Sequence, residues 1–522
     1  MCIAFIIKIS DLLIITLPIH QANWGVSSGH PLATQVGMDI LAQGGNAMDA
    51  AIAISYAEGV VEPYACGIGG GGVALIYENS SKRVSVIDFR EVAPYLSRRV
   101  GKNRNILFGI PGFVSGMELI KNRYGTLSHR QLLSPAIELA ENGFIVDKTL
   151  EKLAHYYRGY KLSPNRTPAF YRNQQPIHLG DLITQRELAQ QLKNISANGK
   201  DGFYSGNTGH KLAGLLKESG YQIGDNGQLK YRPMIRSPLI MKYKDIKLAV
   251  SPLPNGGPTF LEMIRLAEIN HISKMSEEST FFLKMIRTMS ISYQDRFRYL
   301  GDNLPKRLFI LDPSYLKQRW NSNLQQESET ISEIEEIEES TTHIVVVDRW
   351  GNWVSLTLTL GDFFGSGTYV NGFFLNNCLK KFSSNPASPN CYAPGKRPFS
   401  YISPCIVFDA DNQPLLAMGS PGGRQIPSIL LQVFMKYLEE SMPLNVAVAS
   451  PRFYLKDTNT VCFEKLPNQA LQKMLQKSGY RIVENKEPFK YGSVQILAVS
   501  ENGVLTGTAD PRRQAAFQVR SE

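Results

Sequence analysis

The 522-residue chain has no apolar run long enough to cross a bilayer, which takes about 20 residues. Two shorter apolar runs near the start, Cys2 to Ile7 and Leu12 to Pro18, are interrupted by Lys8 and Asp11. No basic stretch precedes them, as it would in a standard signal peptide. An export signal, a mis-called start and a buried first helix all fit residues 1–23. Cysteine is scarce: Cys2, Cys66, Cys378, Cys391, Cys405 and Cys462 are scattered without metal-ligand or redox-motif spacing, and read as buried free thiols. The eight histidines do not cluster in sequence either, so spacing suggests no metal and no cofactor. No low-complexity array, repeat period or nucleic-acid module is present. The formal charge is +10. From Thr341 onward there are 18 Lys/Arg against 13 Asp/Glu, which leaves 38 against 33 before it, so each part carries +5. A spread excess suits an anionic ligand, and a solvated surface explains it equally well. What remains is an ordinary globular chain whose length alone suggests two to four domains.

Periodicity supplies the elements. Pro31 opens a helix that Gly44-Gly45 stops, and Asn46 caps a second, alanine-rich helix suited to close packing on a sheet. Ala74 to Tyr77 and Val84 to Asp88 read as strands. Residues 113 to 300 are mostly helical by period, with a hairpin over Leu239 to Ser251. Beyond Thr341 the chain turns strand-rich: Ile344 to Asp348, Trp353 to Leu360, Cys405 to Phe408, Leu415 to Met418 and Val494 to Val499. A helix is expected over Gln425 to Leu438. The result is a layered α/β domain. Gly69 to Gly72 is not a phosphate loop, because no Lys-Ser/Thr follows; it is expected to let backbone pass close to the active centre.

The organising stretch is Ser340-Thr341-Thr342-His343-Ile344-Val345-Val346-Val347-Asp348, with Trp353 to Thr359 after a turn at Arg349 to Asn352. An acidic, core-poor run containing Glu327, Glu329, Glu333, Glu335, Glu336, Glu338 and Glu339 precedes it and cannot bury enough apolar surface to order itself. An accessible peptide therefore meets a buried hairpin at Ser340-Thr341. The Thr341 hydroxyl can attack the Ser340 carbonyl, and hydrolysis of the resulting ester makes Thr341 a new N-terminus. Its α-amine, which titrates near 7.7–8.0 in free peptides, can then act as base for its own hydroxyl. A linker before a strand, with threonine chosen for β-propensity, is the plain alternative.

Ser-Thr-Thr-His, Val-Ser-Leu-Thr-Leu-Thr and Phe364-Gly365-Ser366-Gly367 together resemble the γ-glutamyltranspeptidase family of N-terminal-nucleophile hydrolases. So do Gly67 to Gly72, Asp88-Phe89-Arg90-Glu91, Ile110 to Phe113, Tyr293 to Arg296, Leu375-Asn376-Asn377 and Gly419 to Gly423. The resemblance runs from about Trp24 to Arg513. It is nearest the CapD-type branch, which acts on poly-γ-glutamate capsule, through Trp24 to Ser27, Pro111 to Glu118, Asn371 to Phe374 and Arg512-Arg513. It implies a four-layer αββα sandwich formed jointly by residues 24–340 and 341–522 of one self-cleaved chain. The resembling enzymes work outside the cytoplasm, which favours the export reading of residues 1–23 and an extracellular, cell-surface or periplasmic location.

The resemblance also implies roles. Thr341 is the nucleophile, and Thr359 orients it. The Gly422 and Gly423 amides, before a helix, form an oxyanion hole; an ordinary strand-to-helix turn is the plain alternative. Arg90 and Ser400 hold the substrate α-carboxylate, a task that suits a guanidinium fork. Tyr401 replaces a second serine. Where glutathione-type members hold a free α-amine with polar or acidic groups, this chain has Gly361, Cys378 and Lys381, so no anion for an ammonium is expected. Gly361 could also leave room for a continuing polymer. Arg424 is a candidate stand-in for an arginine of the CapD type, which here is Gln425; Arg512 and Arg513 are candidates for further carboxylates. The resulting expectation is a γ-glutamyl hydrolase/transpeptidase that uses water or an amine acceptor, a cell-wall amine among them, on poly-γ-glutamate or a γ-glutamyl peptide. No cofactor or nucleic acid is involved. A glutathione-type transferase, a dicarboxylic amide acylase and an uncleaved polymer-binding relic are the rivals.

Overall fold

The computed structural model describes residues 23–95, 108–221, 229–272, 278–302, 308–322 and 339–521. Residues 1–22 and the acidic run at 323–338 lie outside this set, so the readings placed on them do not enter the description.

Two antiparallel sheets form the centre. The seven-stranded sheet runs, in spatial order, Ala516–Arg520, Trp24–Ser28, Glu339–Val347, Trp353–Asp362, Gly71–Glu78, Arg83–Asp88 and Met234–Arg236. The six-stranded sheet runs Leu505–Thr508, Gln495–Val499, Pro414–Gly419, Cys405–Phe408, Ile246–Val250 and Leu239–Tyr243. Successive side chains on a strand face opposite ways, and that rule builds the layers. Ile344 and Val346 join a core with Ala50, Ala53 and Ala57 of helix Ala47–Val61. Val345 and Val347 face the second sheet and share a core with Ile406, Ala417 and Leu497. Helices Gly257–Ile269, Glu278–Tyr299 and Ile426–Phe434 cover the far side through Phe260, Met289 and Leu430. Helix, sheet, sheet, helix is the αββα sandwich expected.

Local chemistry explains the strongest elements. Asn46 Oδ1 accepts from the Met48 and Asp49 amides at 3.0 and 2.9 Å, and the Asp49 carboxylate accepts from the Asn46 amide at 3.1 Å. This capping box contributes about 1 kcal/mol and starts Ala47–Val61, whose small side chains let the helix lie close on the seven-stranded sheet. The helix expected over Gln425 to Leu438 is shorter, Ile426–Phe434, and continues as a π turn over Met435–Glu439. Two edge-side strands carried no period: Trp24–Ser28 pairs with Glu339–Val347 on one side and with Ala516–Arg520 on the other.

Candidate active site

The hairpin brings the two threonines together. Thr341 pairs with Thr359 across Glu339–Val347 and Trp353–Asp362, and the register shifts between Ser340 and Thr341. The shift is a β-bulge, which locally re-aims a strand. The Thr341 hydroxyl donates to Thr359 Oγ1 at a long 3.4 Å. The Thr359 hydroxyl donates to the Ser340 carbonyl at 2.7 Å and accepts from the Gly361 amide at 2.9 Å. A single hydroxyl thus touches both the attacking oxygen and the carbonyl of the peptide bond joining Ser340 to Thr341. Thr359→Val keeps the shape and the β-propensity but removes both contacts. Self-cleavage and turnover should both slow, by less than the about hundredfold to thousandfold that an oxyanion donor is worth. Chain-splitting time courses and kcat would check this; wild-type rates in both would remove Thr359 from the machinery.

The glycine run serves this hairpin. A Cβ on Gly70 would lie 2.3 Å from the Thr359 carbonyl, and one on Gly72 would lie 2.3 Å from that of Thr357. Close backbone passage beside the Trp353–Asp362 strand is what these glycines permit.

Gly422 and Gly423 have φ of 132° and 55°, in the left-handed region that favours glycine. They lead through the turn Gly423–Gln425, which packs against the Glu339–Val347 strand, into Ile426–Phe434. The Gly422 carbonyl accepts from Gln425, whereas neither glycine amide donates to an acceptor among the described residues. Two free amides at a helix start, beside the nucleophile strand, are suited to hold a developing anion.

Arg90 follows Arg83–Asp88 and is fully buried. A Cβ on Gly71 would touch the Arg90 Cα at 3.0 Å, and Gly71 pairs with Thr359. That places Arg90 about three strand spacings, roughly 14 Å, from the Glu339–Val347 strand. Its Nη1 donates to the Pro398 carbonyl at 2.7 Å. Nε and Nη2 are buried without an acceptor among the described residues. Ser400 lies two residues after Pro398, and its hydroxyl accepts from the Ile402 amide at 3.3 Å. Tyr401 is buried, with the Arg296 guanidinium 4.6 Å over its ring; Arg296 also donates to the Ser400 carbonyl. The Pro398 carbonyl thus ties Arg90 to the segment that carries Ser400 and the buried Tyr401.

The remaining arginines divide. Arg513 Nη1 donates to the Thr341 carbonyl at 3.1 Å, and its guanidinium lies over the rings of Phe363 and Phe489. Burial lowers its pKa, opposed first by Glu62. Arg424 and Arg512 need correction as open carboxylate binders. Arg424 donates to the Leu455 and Lys456 carbonyls. Arg512 is held by Glu464 at 2.6 Å, Asp510 at 3.1 Å and the Val448 and Ser450 carbonyls. Apart from Asp510, two residues before Arg512, these partners come from chain at least thirty residues away, which is why neither arginine stays open to a ligand.

The amine-binding positions also differ from expectation. Gly361 makes no room: its φ is 93°, and a Cβ there would lie 2.1 Å from Asn377 Oδ1. The glycine is required by backbone conformation and by the Asn377 amide. Nor is the region without a carboxyl group. Glu91 is fully buried and faces the Cys378 thiol, and burial raises its carboxyl pKa while Arg90 and Lys381 lower it. Its two cationic neighbours nevertheless oppose the arrival of a substrate ammonium.

Two buried groups were given no role from the sequence. His343 lies between the sheets, with Nδ1 2.9 Å from Thr357 Oγ1 and Nε2 3.2 Å from Ser355 Oγ, and burial pushes it down to about 3. It is a neutral core histidine, not a base for Thr341. Beneath the site, Glu58 and Glu62 are both buried. Burial, followed by the Glu62 charge, holds Glu58 well above the carboxylate range. The i, i+4 spacing was their only sequence signal.

Comparisons with known proteins speak to the family and the fold. The family model described as Gamma-glutamyltranspeptidase matches residues 33–519. The chain is 37% identical to the capsule biosynthesis protein CapD proenzyme of Bacillus anthracis, covering 95% of this chain and 91% of that protein. It is 35% identical to the glutathione hydrolase proenzyme of Bacillus subtilis, over 94% and 90%. Among solved structures, a cephalosporin acylase from Bacillus halodurans superposes with a TM-score of 0.82 at 24% identity, covering 95% of each chain, a likeness of fold alone.

Proposed function

The chain belongs to the γ-glutamyltranspeptidase family, and on that premise we propose that it is a self-processing γ-glutamyl hydrolase/transpeptidase whose favoured donor is poly-γ-glutamate. Thr341 Oγ attacks the Ser340 carbonyl carbon, the peptide nitrogen leaves as the Thr341 α-amine, and water hydrolyses the ester. In turnover the amine takes the proton of the Thr341 hydroxyl as Oγ attacks the γ-carbonyl of the donor. The Gly422 and Gly423 amides hold the oxyanion. The proton passes to the departing amine, and a γ-glutamyl ester remains on Thr341. Water or an acceptor amine then takes the acyl group. Residues 24–340 and 341–522 stay together after cleavage, because strands from both alternate in one sheet. The observation that carries this reading is the single Thr359 hydroxyl touching both Thr341 Oγ1 and the Ser340 carbonyl.

Arg90 and Ser400 take the donor α-carboxylate, and Arg513 is a candidate for a further one. Donor choice follows from charge. Glutathione carries an α-ammonium, and burying it beside Arg90 and Lys381 is costly without a dominant anion. Within poly-γ-glutamate that nitrogen is a neutral amide. A polymer donor also fits an extracellular, cell-surface or periplasmic enzyme; no helix among the described residues is long and apolar enough to cross a membrane. Competing γ-linked glutamate oligomers with glutathione in one reaction, read by mass spectrometry, should give products almost wholly from the oligomers. Added salt should weaken oligomer binding through screening. Preference for glutathione would restore the glutathione-type reading, and an intact, inert chain would leave the polymer-binding relic.

A further inference from the structure

We propose a transition-metal site, of the Zn2+ class, formed by Glu151, His155 and His178. Sequence spacing hides it, because the third residue comes from a separate segment. Glu151 and His155 are one helical turn apart on Lys148–Tyr156, so they share a face. His178 lies in the loop between the short strands Gln175–Pro176 and Leu182–Ile183. One ligand atom from each residue falls within 4.8 Å of the others. The rings of His155 and His178 are 4.8 Å apart, and His178 Nδ1 is 3.5 Å from Glu151 Oε1.

The site is held by its backbone. The Leu179 amide donates to Glu151 Oε1 at 3.0 Å, which fixes the carboxylate. The His178 amide donates to Asp181 Oδ2 at 2.8 Å, and the Asp181 amide to the His178 carbonyl at 3.0 Å, so the loop closes on itself. The Gly180 amide and the Asp181 carbonyl clip this loop to Val146, at the start of the helix region. His155 Nε2 is buried and has no partner among the described residues. A buried ring nitrogen with nothing to bond, facing a second imidazole and an anchored carboxylate, is a metal-ligand arrangement with one atom still to be satisfied.

Two imidazoles and one carboxylate suit zinc, or nickel and cobalt in its place, rather than calcium or magnesium, which take oxygen ligands. Zinc with ligands at about 2.0–2.1 Å needs them roughly 3.3 Å apart. The exposed His178 side chain can close the remaining distance by rotation, and water completes the coordination. The bound ion would pin Lys148–Tyr156 to the 177–181 loop. That helix also carries Lys152, which pairs with Glu487 at 2.9 Å and lies over Phe489, the ring under Arg513. The site therefore braces one wall of the candidate active centre without entering the chemistry.

The test titrates Zn2+ into the metal-stripped full chain by calorimetry, with Co2+ absorption as a second readout of coordination. One saturable site is expected, with a raised melting temperature and affinity falling as pH falls, because imidazole must be unprotonated to bind. His155→Ala and His178→Ala should each weaken binding by at least about tenfold, the low end of what even an outer-shell partner is worth. Their melting temperatures in chelator should match that of the unaltered chain, which separates a lost site from a lost fold. Absence of saturable micromolar binding, or identical binding by the His155→Ala/His178→Ala double variant, overturns the proposal.

Discussion

Thr341→Ala is expected to leave a single unsplit chain with no measurable γ-glutamyl transfer. Both effects follow from one atom. The Thr341 hydroxyl lies against Thr359 on the pairing strand, and Thr359 in turn holds the Ser340 carbonyl. Without Oγ the acyl shift cannot start, no free α-amine forms, and turnover loses nucleophile and base together. Loss of a nucleophile in a hydrolase costs on the order of 10⁶ in kcat. Thr341→Ser keeps the hydroxyl and should still split, more slowly, because serine lacks the methyl group that restricts χ1. In the mature enzyme the rate should rise with pH through about 8, as the N-terminal amine loses its proton. Intact mass and N-terminal sequencing decide the matter. A fragment that begins at Thr341 in wild type and is absent in Thr341→Ala is the expected result. Normal splitting of the alanine variant would mean that another agent cuts the chain.

Arg90→Met is expected to cripple catalysis while leaving the melting temperature unchanged or higher. The two effects have opposite signs because the Arg90 side chain is buried with Nε and Nη2 unpartnered. Each unsatisfied buried donor costs about 1–3 kcal/mol. Methionine has similar length and no donors, so it removes that cost, offset in part by the lost bond to the Pro398 carbonyl. A donor carboxylate would satisfy both nitrogens. Two hydrogen bonds to a charged group contribute about 1.5–3 kcal/mol each, so kcat/KM should fall by about a hundredfold to ten-thousandfold. Arg90→Lys keeps the charge but loses the planar fork, and should recover only part of the activity. A large fall in melting temperature for Arg90→Met would instead assign Arg90 to the fold.

Thr341 was legible as a candidate in the sequence for a local reason, whereas Arg90 was singled out through the family resemblance. The acidic run, the β-branched strand and the turn at Arg349 to Asn352 fix a hairpin, and strand pairing then sets Thr341 opposite Thr359. The cap at Asn46, the close passage at Gly70 and Gly72, and the period of most helices are likewise short-range matters of turn chemistry and side-chain spacing. Alternation along the strands, with family resemblance, was enough to reach the αββα layers. Other features needed chain brought from elsewhere. Arg424, Arg512 and Arg513 look alike in sequence. Only the third reaches the Thr341 carbonyl, because Leu455, Lys456, Glu464 and Asp510 occupy the first two. Gly361 reads as an opening and is in fact filled by Asn377, while Glu91 becomes a buried neighbour of Cys378. His178 joins Glu151 and His155 only through the fold. The sequence by itself determined the hairpin and a layered α/β domain, since these follow from periodicity and turn chemistry within a few residues; the αββα order and the role proposed for Thr341 came through the family resemblance. Which charges remain open around the nucleophile was decided by tertiary structure, because a charge is neutralised or desolvated by whatever packs against it, however distant along the chain.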